Sequence, residues 1–394
     1  MRASSGSFVS TIDRRWWTVS DSSWDGKSET SETRETFAKA FDRSADPLAE
    51  YSESFFDLPD PFEYFIESAL KTRENITRDV TIRGYRRTYE QWRDHMSSTG
   101  RHPACPSPDH VSAFIRWRRD VNGNSRRTIL GKLNRLSQAY EFWQADGAFP
   151  HPSDYNPFTL ARDTTDLGED PDKTLHDLSL DELQEVFSDI QNVKRRAIIG
   201  LQLKLGARAG EVCNMQLQDV HLEHAELQTQ YPELGTHPSL GDHENVVYIP
   251  HDRDGNKSSN PRLLPVDEEL RWLLTRYLLI RASVDEPWLF LSDRYSKLSP
   301  KVVNREWKEE FHPEYAETDG RKPVTSHFGR HWFSSYWRLT VGMGREHVQY
   351  MRGDRVAPLD SFPDAIDDYL HPNYSYVEPE YRDAVFSLNL RMQY

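Results

Sequence analysis

The sequence predicts a mainly α-helical protein with a small antiparallel β-sheet, an N-terminal four-helix domain preceding a mixed α/β domain. Three observations predict it. Four runs between Pro61 and Trp143 repeat apolar residues at helical spacing and are separated by Gly, Pro and Asn breakers. The stretch SLDE, from Ser179, forms a capping box ahead of Leu183, Val186 and Phe187, opening a second helical series. Two strand-like runs, NVVYIP and PRLLPV, flank an Asp-Gly turn signal and read as a hairpin.

At 394 residues the chain has room for two domains, each able to bury a core. No apolar run approaches the roughly 18 residues that a membrane span needs. The opening segment MRASSGSFVSTIDRRWW lacks the apolar stretch of a secretory signal. A soluble, cytoplasmic protein without membrane association is therefore expected. Cys105 and Cys213 stand far apart with no metal-ligand spacing, so both read as reduced core thiols.

Taken in order, residues 1–58 are rich in Ser, Thr, Asp and Glu without helical or strand period, and are expected to form a disordered acidic tail. Its tryptophans, Trp16, Trp17 and Trp24, are unusual for such a segment. Residues 59–158 form the helical domain, built on FEYFIESAL, TIRGYRRTYEQWRDHM, PDHVSAFIRWRRD and SRRTILGKLNRLSQAYEFWQ. Residues 159–176 read as a polar linker, and residues 177–394 as the second domain.

The formal net charge of -14 argues against a uniformly basic nucleic-acid binder. Its distribution argues the other way. Between Ile76 and Arg135 there are thirteen Lys/Arg against five Asp/Glu. Arg83, Arg86, Arg87, Arg126, Arg127, Lys132 and Arg135 supply charge beside the apolar positions, and this local excess favours DNA contact over an ordinary solvated face.

In RRAIIGLQLKLGARAGEVCNMQL an apolar helix runs to Leu205, and Gly206 provides a left-handed stop. Arg208 then sits at a tight helix junction, either salt-bridged to Glu211 or open to a cleft. Lys257 stands at the hairpin tip, where a lysine alone is usually a solvated charge. In SHFGRHWFSSYW, with Thr325 or Ser326 as N-cap, His327, Arg330, His331 and Ser334 share one arc while Phe328, Trp332, Phe333, Tyr336 and Trp337 fill the remainder. The aromatics bury the helix and hold a His-x-x-Arg pair at its edge. Near the C-terminus Tyr369 precedes His371, with Tyr374, Tyr376 and Tyr381 as rivals. His251, Asp252 and Asp254 lie on the predicted turn without helix-spaced partner ligands, so a metal site is not expected.

Arg in GxRxGE, Lys in a hairpin, HxxR opening a helix and a late Tyr in YxH, in that order, resemble the tyrosine recombinase (phage-type integrase) family over residues 60–385. The helical domain, with SRRTILGKLNRLSQAYEFW and its closing NPF, looks like that family's core-binding domain, which clamps double-stranded DNA opposite the catalytic domain. The resemblance implies that Arg208 and Arg330 grip the non-bridging oxygens of the scissile phosphate. It implies that Lys257 protonates the leaving 5′ oxygen, that His327 orients the phosphate or assists proton transfer, and that Tyr369 attacks phosphorus. Such an enzyme works without metal or other cofactor, without ATP, and as a tetramer on DNA, as integrases of mobile elements do. A type IB topoisomerase and a non-catalytic DNA-binding relative are the alternatives. One departure stands out. Where the family has Gly-His or Gly-Trp before the nucleophile, this chain has Gly353-Asp354 and a longer spacer; an ionised carboxylate cannot donate a hydrogen bond, and Arg355 is a candidate to fill that position.

Overall fold

Side-chain caps set where the helices of the N-terminal half begin. The computed structural model describes residues 29–72, 79–170, 172–354 and 366–390, and the chain divides into two units, Met1–Asp170 and Pro171–Tyr394. The first carries α1 (Glu29–Ala40), α2 (Ser52–Phe55), α3 (Pro61–Phe65), α4 (Asp79–Met96), α5 (Pro108–Arg116), α6 (Arg126–Ala145) and α7 (Pro157–Thr164). Asp60 caps α3 by accepting from the Phe62 amide at 2.9 Å. Ser125 caps α6 through the Thr128 amide at 3.3 Å, and Asn156 caps α7 through those of Phe158 and Thr159. Each cap satisfies donors that the first helical turn leaves without partners. The faces so aligned bury an aromatic core in which Phe62 meets Trp143 edge to face at 4.9 Å and Trp92 meets Phe114 at 5.2 Å.

Two expectations change here. Residues 1–28 lie outside the described residues, but residues 29–58 are not a disordered tail: they include α1 and α2, and Leu48 and Phe55 join the core. Arg101 makes a two-pronged ion pair to Asp46, and the His102 amide donates to Ser52 Oγ at 2.8 Å. An isolated pair of apolar residues gives no sequence period, so this docking is visible only in three dimensions. Likewise residues 159–164, read as the start of the linker, belong to α7, whose Pro157, Phe158 and Ala161 are buried against the same core.

The second unit carries α8 (Leu180–Asp189), α9 (Val193–Leu205), α10 (Ala209–Asn214), β1 (Val220–His221), α11 (Ala225–Gln230), β2 (Val246–Ile249), β3 (Arg262–Pro265), α12 (Glu268–Ile280), α13 (Pro300–Phe311), α14 (Ser326–Ser335), α15 (Arg345–Arg352) and α16 (Ile366–Ala384). The sheet is antiparallel in the order β1-β2-β3, with Val220 opposite Val247 and Ile249 opposite Arg262. Ser179 and Glu182 form the expected reciprocal capping box on α8. From Ala197 onward α9 is buried throughout, and its one buried charge, Lys204, is paired inside with Asp267 and Glu269. Among the described residues no helix is long and apolar enough to cross a membrane.

Candidate active site

Gly206 decides where Arg208 stands. It ends α9 at φ 63°, and a Cβ there would lie 2.5 Å from Phe333 of α14, so both the turn and the close approach of the helices require glycine. Gln202 braces the junction, accepting from the Trp307 indole at 2.6 Å and donating to the Ala207 carbonyl at 3.0 Å. Arg208 follows as the N-cap residue of α10. Its amide donates to Glu211 Oε2 at 2.8 Å, and its Nη1 reaches Glu211 Oε1 at 3.3 Å.

Glu211 has a closer partner. Arg262 of β3, fully buried, donates from Nη2 to Glu211 Oε2 at 2.7 Å. Burial pushes the Glu211 carboxyl up, but Arg262, the Arg208 amide and Arg330 outweigh it and hold the pKa down at about 2. Glu211 is therefore an anion under ordinary conditions, largely spent on Arg262. Both readings of Arg208 thus hold: Nη1 is tied to Glu211, and Nη2 is left for another anion.

Arg330 supplies a second guanidinium. The sequence places it at the edge of α14 beside His327 and His331, but whereas both histidines are exposed there, Arg330 is 3% exposed. Its Nη1 donates to the Gly206 carbonyl and its Nη2 to the Arg352 carbonyl, each at 2.9 Å. Burial pushes its pKa down, with Arg208 adding to the effect, to about 9, which leaves it charged at neutral pH. Asp354 fills the space between the two arginines. Its Oδ1 accepts from Arg208 Nη2 and from Arg330 Nη2, both at 2.8 Å, while Arg352 Nε pairs with Oδ2 at 2.7 Å. Three guanidinium groups thus converge on one carboxylate.

His327 borders this cluster. Burial and then Arg330, Arg208 and Arg352 lower its pKa, so it is neutral at pH 7. Its Nε2 lies 3.0 Å from Nε2 of His331, one ring donating and the other accepting. Lys257 is exposed in the loop joining β2 to β3. That loop is clamped: Asn214 donates to the Asp254 carbonyl and to Asn256 Oδ1, both at 2.8 Å, and the Ser259 amide donates to the Gly353 carbonyl at 2.8 Å. The segment bearing Lys257 is thereby tied to α10 on one side and to the Gly353-Asp354 turn on the other.

Tyr369 belongs to α16, and its side chain, like Arg355, lies outside the described residues. Its rivals lie on the same helix. Tyr374 and Tyr381 are fully buried, which pushes both phenols up, and Tyr381 donates to the Lys204 carbonyl. Tyr376 is 71% exposed.

In the first unit Arg83, Arg87, Arg126 and Arg127 are exposed on α4 and α6. Arg86 instead forks onto Glu63, at 2.9 Å from Nη2. Lys132 donates to Gln91 and Arg135 to Thr88, packing their stems between the helices. Burial, and then Arg118, Arg87 and Arg135, push the Lys132 pKa down to about 8. That depression reflects the ammonium's partial burial first and the neighbouring guanidinium groups second.

Sequence reasoning missed Arg352 and the Glu211–Arg262 pair, and left Asp354 without a role. The signal for Asp354 was its place after Gly353, which ends α15 at φ 63° and whose Cβ would strike Arg262 Nη1 at 2.5 Å.

Residues 176–353 match the family model described as phage integrase family. Tyrosine recombinase XerA of Pyrococcus horikoshii is 27% identical over 179 residues, spanning 45% of this chain and 52% of the relative. Its counterpart in Pyrococcus furiosus is 28% identical over 184 residues, 46% and 53% of the two chains. The chain thus spans about half the length of the curated relatives it matches. Among solved structures, the Tn1549 transposon integrase bound to circular-intermediate DNA aligns with TM-score 0.53 at 18% identity, covering 76% of this chain and 95% of the other. A lambda integrase dimer bound to a core site aligns with TM-score 0.54 at 13% identity, covering 78% and 98%. A lambda integrase tetramer on a Holliday junction gives 0.55 at 13%, covering 86% and 91%. At these identities the structures share the fold, mainly helical with a small antiparallel sheet.

Proposed function

From the match of residues 176–353 to the phage integrase family model we propose that this chain belongs to that family and is a site-specific DNA recombinase, an integrase of a mobile element acting on double-stranded DNA in the cytoplasm. The observation that carries the reading is the convergence of Arg208 and Arg330 on a single anion from two different helices. Paired guanidinium forks of this kind match the non-bridging oxygens of a phosphodiester and stabilise the added charge of a pentavalent transition state.

In this mechanism the Tyr369 oxygen bonds to phosphorus as the bond to the 5′ oxygen breaks. The phenol, with an ordinary pKa near ~10, needs help to lose its proton. His327, neutral beside the arginines, is suited to accept a proton or to orient the phosphate, and Lys257 delivers one to the departing 5′ oxygen. The strand is left as a 3′-phosphotyrosyl ester with a free 5′ hydroxyl. Because the ester keeps the energy of the broken phosphodiester, attack by a 5′ hydroxyl reseals the strand without ATP. The α4 and α6 face bearing Arg83, Arg87, Arg126, Arg127, Lys132 and Arg135 grips the duplex, Arg86 after release from Glu63. A tetramer on DNA is the working assembly, in keeping with the lambda integrase tetramer on a Holliday junction among the similar structures.

The test is covalent trapping on a library of nicked duplexes, whose broken strand cannot be resealed. The wild-type chain should accumulate a protein–DNA adduct that Tyr369→Phe does not form. Salt-sensitive binding without any adduct would overturn the enzymatic reading and leave a DNA-binding relative.

A further inference from the structure

We propose that Asp354 holds the place of the scissile phosphate in the DNA-free protein, and that an entering phosphodiester must displace it from the arginine cradle. The inference rests on the functional reading above only for the identity of the displacing group. The geometry itself concerns anions. A carboxylate carries two oxygens on one carbon much as a phosphodiester carries two non-bridging oxygens on phosphorus, so the same planar forks accept either. Asp354 Oδ1 takes the Nη2 donors of both Arg208 and Arg330 at 2.8 Å, the donors a phosphate oxygen would need. Oδ2 lies 2.7 Å from Arg352 Nε, an ion-pair contact.

The charge inventory explains why an anion sits there. Glu211 is committed chiefly to Arg262 through a fully buried pair. Arg208, Arg330 and Arg352 are then left to repel one another unless a further negative group joins them. Asp354 is that group while DNA is absent. Two anions cannot share the same donors, so DNA and Asp354 exclude each other.

Displacement leaves the cradle standing. Without Asp354, Arg208 keeps Glu211 Oε1 and the Arg352 carbonyl, and Arg330 keeps the carbonyls of Gly206 and Arg352. Arg352 keeps Ser334 Oγ at 3.0 Å. Asp354 itself is a quarter exposed, beyond the last residue of α15, so its side chain has solvent to turn into. It is accordingly a residue that sets the threshold for DNA engagement and has no bond-making role.

Sulfate, a tetrahedral oxyanion, is the probe. The full chain is titrated with sulfate at constant ionic strength, with thermal unfolding as the readout of binding. Asp354→Asn, which keeps shape and removes charge, should bind sulfate about tenfold or more tightly than wild type, the scale on which close charge pairs couple. Asp354→Glu, which retains a carboxylate, should stay near wild type. The double variant Arg330→Gln with Asp354→Asn should lose the gain, separating site binding from the general stabilisation that sulfate gives any fold. No tighter binding in Asp354→Asn would overturn the proposal. So would loss of the folded state in Asp354→Asn, since a group vacated for each DNA cannot be what the fold depends on. The outcome is distinguishable from failure of the recombinase reading: sulfate affinity does not depend on Tyr369, and adduct formation by wild type does not depend on the Asp354 variants.

Discussion

Substituting Glu211 by Gln removes one charge from the centre of the site's support and leaves the shape intact. Glu211 and Arg262 are each essentially without solvent exposure, and their oxygens and nitrogens meet at 2.7 Å. A carboxyl held at about 2 against its ordinary 4.5 is worth about 3 kcal/mol of folded-state stability at neutral pH. Losing it also strands the Arg262 guanidinium in the interior without an anion, and breaking such pairs from one side costs roughly 3–5 kcal/mol. Glu211→Gln should therefore lower unfolding free energy by about 4 kcal/mol, read from urea denaturation of the full chain at pH 7. The sign of the pH dependence follows from the depressed pKa. The wild-type contribution is complete above about pH 4.5 and is lost as pH falls toward 2, whereas the variant lacks that loss. Adding Arg262→Met should recover part of the deficit, because an apolar pair of similar volume needs no counter-charge. A Glu211→Gln protein within about 1 kcal/mol of wild type, or with an unchanged acid-side slope, would refute the account of how the cradle is held.

Three further outcomes are expected. Gly353→Ala should cost about 2 kcal/mol or more in thermal or urea unfolding, since the left-handed φ of 63° disfavours alanine and its Cβ would lie 2.5 Å from Arg262 Nη1 and 2.8 Å from Ser258 Cβ. A chain beginning at residue 59 should unfold its first unit at least about 4 kcal/mol more easily than the full chain in circular dichroism melts, because it lacks the buried Leu48 and Phe55 and the Asp46–Arg101 pair. DNA binding should take up protons near pH 8: phosphates raise the depressed Lys132 pKa, so affinity measured by fluorescence anisotropy at fixed salt falls as pH rises through 8 toward 9, and Lys132→Met removes that dependence.

Much of the fold was legible because its signals are local. Ser179 with Glu182, the Gly206 stop and the strand-like runs around Asp254-Gly255 each specify a turn of backbone by their own chemistry, and helices and hairpin follow where they were expected. Leu48 and Phe55 were not legible, because their partners are remote in sequence and no period announces them. At the site, residue order singles out Arg208 and Arg330 as candidates, but not how far each is buried. Arg330 reads as an edge residue from helical phase alone, yet α9 and the Arg352 turn close over it. Asp354 was visible only as an exception to a pattern. Its meaning depends on three arginines from separate elements meeting at one point, which no spacing within the chain encodes.

The central claim is that a cradle of arginines lets the Tyr369 phenol break and rejoin a DNA strand. Its most direct measurement is mass spectrometry of the peptide left attached to DNA after trapping in the presence of a chelator. The account predicts a peptide containing Tyr369, linked through its phenol oxygen to a 3′ phosphate, with undiminished yield when divalent metal is removed. Attachment at another residue, linkage to a 5′ phosphate, or an adduct that forms only with magnesium would contradict it.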